Sequence, residues 1–99
     1  MNLSIVNTIK RQICTLGGIK VWSWAARGWT AIDEYTLRFR VSGHHHKGYV
    51  QVFLNGMDTY DIKLLKLNGD VKKEFKGVFF DEMVNIIDEA VEKIPAYKI

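Results

Sequence analysis

Between Tyr35 and Ser42 the side chains alternate without interruption, Tyr35, Leu37, Phe39 and Val41 on one side and Thr36, Arg38, Arg40 and Ser42 on the other. Period two marks a half-buried strand, so one face belongs to a core and the other to solvent or a partner. Gly43 to Gly48 then reads as a reversal, and Tyr49 to Asn55 as a returning strand with Val50, Val52 and Leu54 opposed to Tyr49, Gln51 and Phe53. Asn55-Gly56 is a strong hairpin signal, which makes Met57 or Asp58 to Leu67 the next antiparallel strand. Asn68-Gly69-Asp70 repeats the device and leads to Val71–Lys76, a lysine-rich stretch suited to a protected sheet edge and broken by Gly77. Punctuation of this kind commits the middle of the chain to an antiparallel meander.

Helical spacing brackets the strands. Ile5, Val6, Ile9, Ile13 and Leu16 recur at intervals of three and four between Asn2 and Leu16, with Asn2 or Ser4 as the N-cap and Gly17-Gly18 as the stop. Near the other end Asp81 is placed to cap a helix lined by Met83, Val84, Ile87, Ala90, Val91 and Ile94 and ending before Pro95. Asp81 and Glu82 at its start and Lys93 at its end suit the helix dipole, while Asp88, Glu89 and Glu92 make its outer side acidic. Ile19 to Ala25 reads as a first strand, with Ile19, Val21 and Ser23 facing one way and Lys20, Trp22 and Trp24 the other. Arg27-Gly28-Trp29 through Asp33-Glu34 reads as a connecting loop. The expected fold is α+β, a meander of about five strands with an N-terminal and a C-terminal helix covering one face. At 99 residues and 47% hydrophobic, residues 1–99 suffice for a single domain with one core.

Several classes are excluded by what is scarce. One cysteine cannot pair within the chain, and Cys14 reads as a small thiol near the core boundary. No apolar run approaches the roughly 20 residues of a membrane span, and Met1 to Ser4 lacks the basic start and long apolar stretch of a secretory signal. The expected compartment is the cytoplasm. No glycine-rich phosphate loop, Ser-His-Asp arrangement or zinc-spaced cysteine pattern is present, so the expectation is a protein that is not an enzyme and needs no cofactor.

His44-His45-His46 sits in the turn beside Lys47, and in an extended chain His44 and His46 project together. Two imidazoles fall short of the four ligands of a structural zinc site, so the run reads as a polar turn and no metal residue is assigned. Asp58 and Asp61, three apart in a strand, point to opposite faces; Asp58 is expected to bond nearby backbone amides.

Charge is uneven along the chain. Through Tyr49, Lys10, Arg11, Lys20, Arg27, Arg38, Arg40 and Lys47 stand against only Asp33 and Glu34, whereas acids outnumber bases beyond it; every arginine lies in the first part. The net charge of +3 is therefore a difference between two unlike halves. Alternation puts Arg38 and Arg40 on the non-core face, continuing toward His44, His46 and Lys47. Trp22 and Trp24 on one strand face either cover a second apolar layer under a loop or helix or form an exposed patch. In the second case they, with Arg27, Trp29 and the residues above, make a candidate partner-binding surface, basic and aromatic, able to anchor a protein or stack on bases.

Leu37-Arg38-Phe39-Arg40-Val41, Leu54-Asn55-Gly56-Met57-Asp58-Thr59-Tyr60-Asp61 and Lys76-Gly77-Val78-Phe79-Phe80, in that order, resemble a small family found in bacteriophages, prophages and related mobile elements. The resemblance implies an origin and a role in phage and host biology, and carries no catalytic signature. Together these features lead to the expectation of a small non-enzymatic binding protein that occupies a host or phage protein, as an anti-defence inhibitor would. Two alternatives stay open: a nucleic-acid-binding module using Arg27, Arg38, Arg40 and Lys47, and a self-associating accessory whose acidic last helix meets the basic strands of a second copy. No membrane partner is expected.

Overall fold

The computed structural model describes residues 3–43 and 46–91 of the chain. Its elements run α1 (Ser4–Gly17), α2 (Ile19–Ser23), β1 (Arg27–Asp33), β2 (Thr36–Ser42), β3 (Lys47–Leu54), β4 (Tyr60–Leu65), β5 (Val71–Val78) and α3 (Phe80–Val91). The strands form one antiparallel meander in the order β1-β2-β3-β4-β5. Leu37, Phe39, Val41, Val50, Val52, Ile62 and Leu64 line its inner face, and α1 and α3 close over them with Val6, Ile9, Ile13, Met83, Val84, Ile87 and Val91. Each such aliphatic side chain removed from water contributes about 1.5–3 kcal/mol, which makes this face the seat of stability. The α+β architecture is as the periodicities require.

The first strand is not where alternation placed it. Ile19 to Ser23 is a short helix, and Arg27–Asp33, expected as a loop, is the edge strand β1. Seven residues of alternating size fit either period, and a helix turning about 100° per residue puts residues two apart on nearly opposite sides. Trp22, within the short helix, is 87% exposed, while Trp24, just past its end, is fully buried. Trp24 Nε1 donates to Asp88 Oδ1 of α3 at 2.9 Å, and the Ser42 amide donates to the Trp24 carbonyl at 2.8 Å, so tertiary contacts fix this segment. Trp29 stacks on Phe39 with ring centroids 4.4 Å apart, and Lys10 of α1 lies over its ring. Two bulges in the β1–β2 ladder, one beside Gly28 with φ +67°, destroy the alternation that would have identified β1.

Smaller departures follow from local geometry. Ser4 is the first helical residue rather than a cap; Leu3 holds the N-cap position without a side-chain bond, and Asn2 lies outside the described residues. Cys14 is exposed, on the side of α1 away from its buried stripe. Tyr35 precedes β2 in a turn and is exposed, whereas Thr36 is buried. Asn55-Gly56 does open a turn, but a wide one: the Asn55 amide donates to the Thr59 carbonyl, Asn55 Oδ1 accepts from the Met57 and Thr59 amides, and Asp58 takes the left-handed conformation. Asn55 thus does the amide bonding expected of Asp58. Gly77 does not end β5, which continues to Val78; with φ +66° it forms a bulge, its amide donating to Asp61 Oδ1 at 3.1 Å. α3 begins at Phe80, so Asp81 lies in its first turn and does not precede it as a cap. Glu92, Lys93, Ile94 and Pro95 lie outside the described residues.

Candidate functional site

Both helices sit on one side, so the second face of the sheet is covered by neither. Register arranges its side chains in rows. At one end Asp33, Thr36, Phe53 and Asp61 stand side by side across four strands. The next row is Thr30, Arg38, Gln51, Lys63 and Glu74. A third holds Arg27, Arg40, Tyr49 and Leu65, and the last pairs Ser42 with Lys47. Neighbouring strands lie about 4.8 Å apart, so the charges within a row are close enough to act together.

The rows grade from mixed charge to purely basic. Around Phe53, which is 39% exposed, a shallow hollow of about 350 Å³ is lined by Asp33, Thr36, Gln51, Asp61, Lys63, Glu74 and Lys76. Two of its carboxylates already serve the fold: Asp33 Oδ1 accepts from the Tyr35 amide at 2.9 Å, and Asp61 Oδ1 from Asn55 Nδ2 and the Gly77 amide. In the last two rows the charged residues among those described are all cations. The Arg38 guanidinium lies 4.8 Å from the centroid of the Tyr49 ring, Arg40 and Lys47 are exposed, and Arg27 faces Arg40 across the β1–β2 ladder. The ring face attracts the guanidinium electrostatically, and the planar fork of donors on an arginine suits it to an anion.

His46 belongs to the scaffold beneath this end. Its side chain is 3% exposed, Nε2 donates to the Tyr49 carbonyl at 3.3 Å, and the ring lies against Gly48. Burial pushes its pKa below the ordinary 6.5; the backbone bond to Tyr49 opposes the shift and the charge of Lys72 adds to it. Gly48 has to be glycine, because a Cβ there would run into the Leu65 carbonyl. Behind the opposite end, burial and then the charge of Asp58 push the Tyr60 phenol upward, and its hydroxyl donates to Gln12 Oε1 of α1 at 2.7 Å.

The nine candidate residues therefore divide. Arg38 and Arg40 share the open face, as their alternation in β2 requires, with Lys47 opposite Ser42, and Arg27, expected in a loop, joins them through β1 opposite Arg40. Trp24 and His46 are buried, Trp29 is half-buried against the core through Phe39, and His44 lies outside the described residues. Trp22 stays exposed and lines a depression of about 340 Å³ with Val21, Ala25, Ala26 and Arg27. Tyr49 was missed as a site residue, although its place opposite Val50 and Val52 already put it on the arginine face. Among the described residues no group of three or more His, Cys, Asp and Glu is placed to hold a metal ion, and no helix is long and apolar enough to cross a membrane. No protein-family model, curated protein or solved structure matches the chain.

Proposed function

We propose that the chain is a non-enzymatic binding protein of phage or mobile-element origin that holds a nucleic acid on the helix-free face of its sheet. The observation that carries this reading is the row structure: Arg27, Arg40 and Lys47, with Tyr49, occupy the last two rows, in which no carboxylate stands among the described residues, and Arg38 adjoins them from the row that ends in Glu74. Trp24 is fully buried and Trp29 is half-buried against Phe39, which weighs against a protein hot spot here. Protein interfaces also favour arginine and tyrosine, so what tips the reading is the excess of positive charge, typical of nucleic-acid faces, which are polar and strongly positive.

Fluorescence anisotropy with a labelled oligonucleotide across a salt series tests the reading. Four phosphate contacts give a log–log slope of about −3 for a single strand, so affinity should fall roughly fiftyfold between 50 and 200 mM salt. Absence of binding at low salt overturns the proposal. A protein partner is the second reading, favoured by the exposed Phe79 and Phe80 at the β5–α3 junction. In that case capture would depend on those two residues and be nearly indifferent to salt.

A further inference from the structure

We infer that the nucleic acid held on this face is single-stranded, and that Trp22 is the platform on which one of its bases stacks. The inference rests on the nucleic-acid reading above and narrows it to a substrate class and a residue.

Shape supplies the first reason. The major groove of a duplex is about 12 Å wide and admits a helix or a two-stranded ribbon, whereas the basic residues here lie on the broad face of a five-stranded sheet. Such a face suits a strand laid across it with its bases turned toward the protein.

The second reason is the state of Trp22. It is a large aromatic side chain left 87% exposed on a short helix, while Trp24, two residues on, is fully buried. The depression it lines is shared with Arg27, whose Nη1 donates to the Ala25 carbonyl at 2.9 Å and whose backbone pairs with that of Arg40. Ala25 holds a left-handed φ of +53°, a conformation that costs a non-glycine residue free energy and that the Arg27 bond helps to hold. Arg27 thus joins the indole to the basic rows: a phosphate at Arg27 and Arg40 would leave an adjoining base at Trp22. Only an unpaired strand has base faces to offer there, because a duplex keeps them stacked inside. Stacking is indifferent to base identity, so the binding should be sequence-tolerant.

Anisotropy titrations of the full chain with a mixed-sequence DNA strand of about 16 nucleotides, and with the same strand annealed to its complement, separate the cases. The single strand should bind more tightly than the duplex and quench tryptophan fluorescence. Trp22→Ala should weaken single-strand binding about tenfold or more, and Trp22→Phe should restore most of the loss. Because the residue is exposed, both variants should melt with the parent, which keeps folding out of the comparison. Equal affinity for strand and duplex, with no effect of Trp22→Ala, overturns this inference and leaves the nucleic-acid reading standing. Binding of neither form at low salt overturns both. A concentration-dependent dimer that Trp22→Ala abolishes without changing strand affinity would assign Trp22 to self-association and overturn the inference as well.

Discussion

Phe39 and Arg40 are neighbours in β2 and live in different surroundings. Phe39 is fully buried, stacked on Trp29 and roofed by helices, while Arg40 stands exposed on the side neither helix covers. The same contrast repeats at Val50 against Tyr49 and at Ile62 against Lys63. Cohesion is invested on one face, so the other can carry repelling cations that add nothing to folding. Arg27 stands directly opposite Arg40, and like charges so placed repel, which is why the open face rather than the core is read as the site.

The contrast makes graded predictions. Phe39→Ala should cost about 3–5 kcal/mol in denaturant unfolding, a large share of the stability of a domain this small, through lost burial and the cavity left under Trp29. Gly48→Ala should cost roughly 3 kcal/mol, since its methyl group has to push the Leu65 carbonyl away and open the β3–β4 ladder. Trp24→Phe should cost about 1–3 kcal/mol, because Asp88 loses its indole donor; a cost near zero would show that α2 is not anchored through that bond.

A further prediction concerns pH. With the folded pKa of His46 below the unfolded 6.5, the unfolded chain binds more protons in that interval. Its contribution is whole above about 6.5, declines as pH falls through that value, and levels off below the folded pKa. Melting curves of parent and His46→Gln between about pH 7.5 and 5 should converge on acidification as the parent loses that contribution. Parallel curves would contradict the buried neutral histidine. The smallest effect belongs to the open face, where Arg40→Ala should change stability by no more than about 0.5 kcal/mol.

How much of this was legible in the sequence depends on where each element finds its partners. α1, β2, β3 and α3 bury residues at spacings set by their own periods, so Val6, Ile9 and Ile13, or Leu37, Phe39 and Val41, announce themselves. Residues 19–33 could not be read that way. Trp24 is placed by Asp88, 64 positions away, and Trp29 by Phe39, and the bulges of β1 erase its alternation. The arginine half of the site was therefore visible through β2, while the tryptophans, open in the sequence between packing and an exposed patch, divide: Trp24 is buried, Trp29 half-buried and Trp22 exposed. Tyr49 shares the arginine face by alternation, and the structure adds the contact of Arg38 with its ring.

The central claim is that position, and not net charge, makes the site. It is tested most directly by comparing two variants that lose equal charge. Arg38→Ala/Arg40→Ala strips the open face, and Arg11→Ala/Lys73→Ala strips exposed cations elsewhere, on α1 and beside the Phe75 ring of β5. In the salt series with a single strand, the first pair should weaken binding and reduce the log–log slope by about 1.4, the share of two phosphate contacts, while the second leaves both nearly unchanged. Equal losses from the two pairs would mean that the chain attracts anions diffusely, and would contradict a binding face on the sheet.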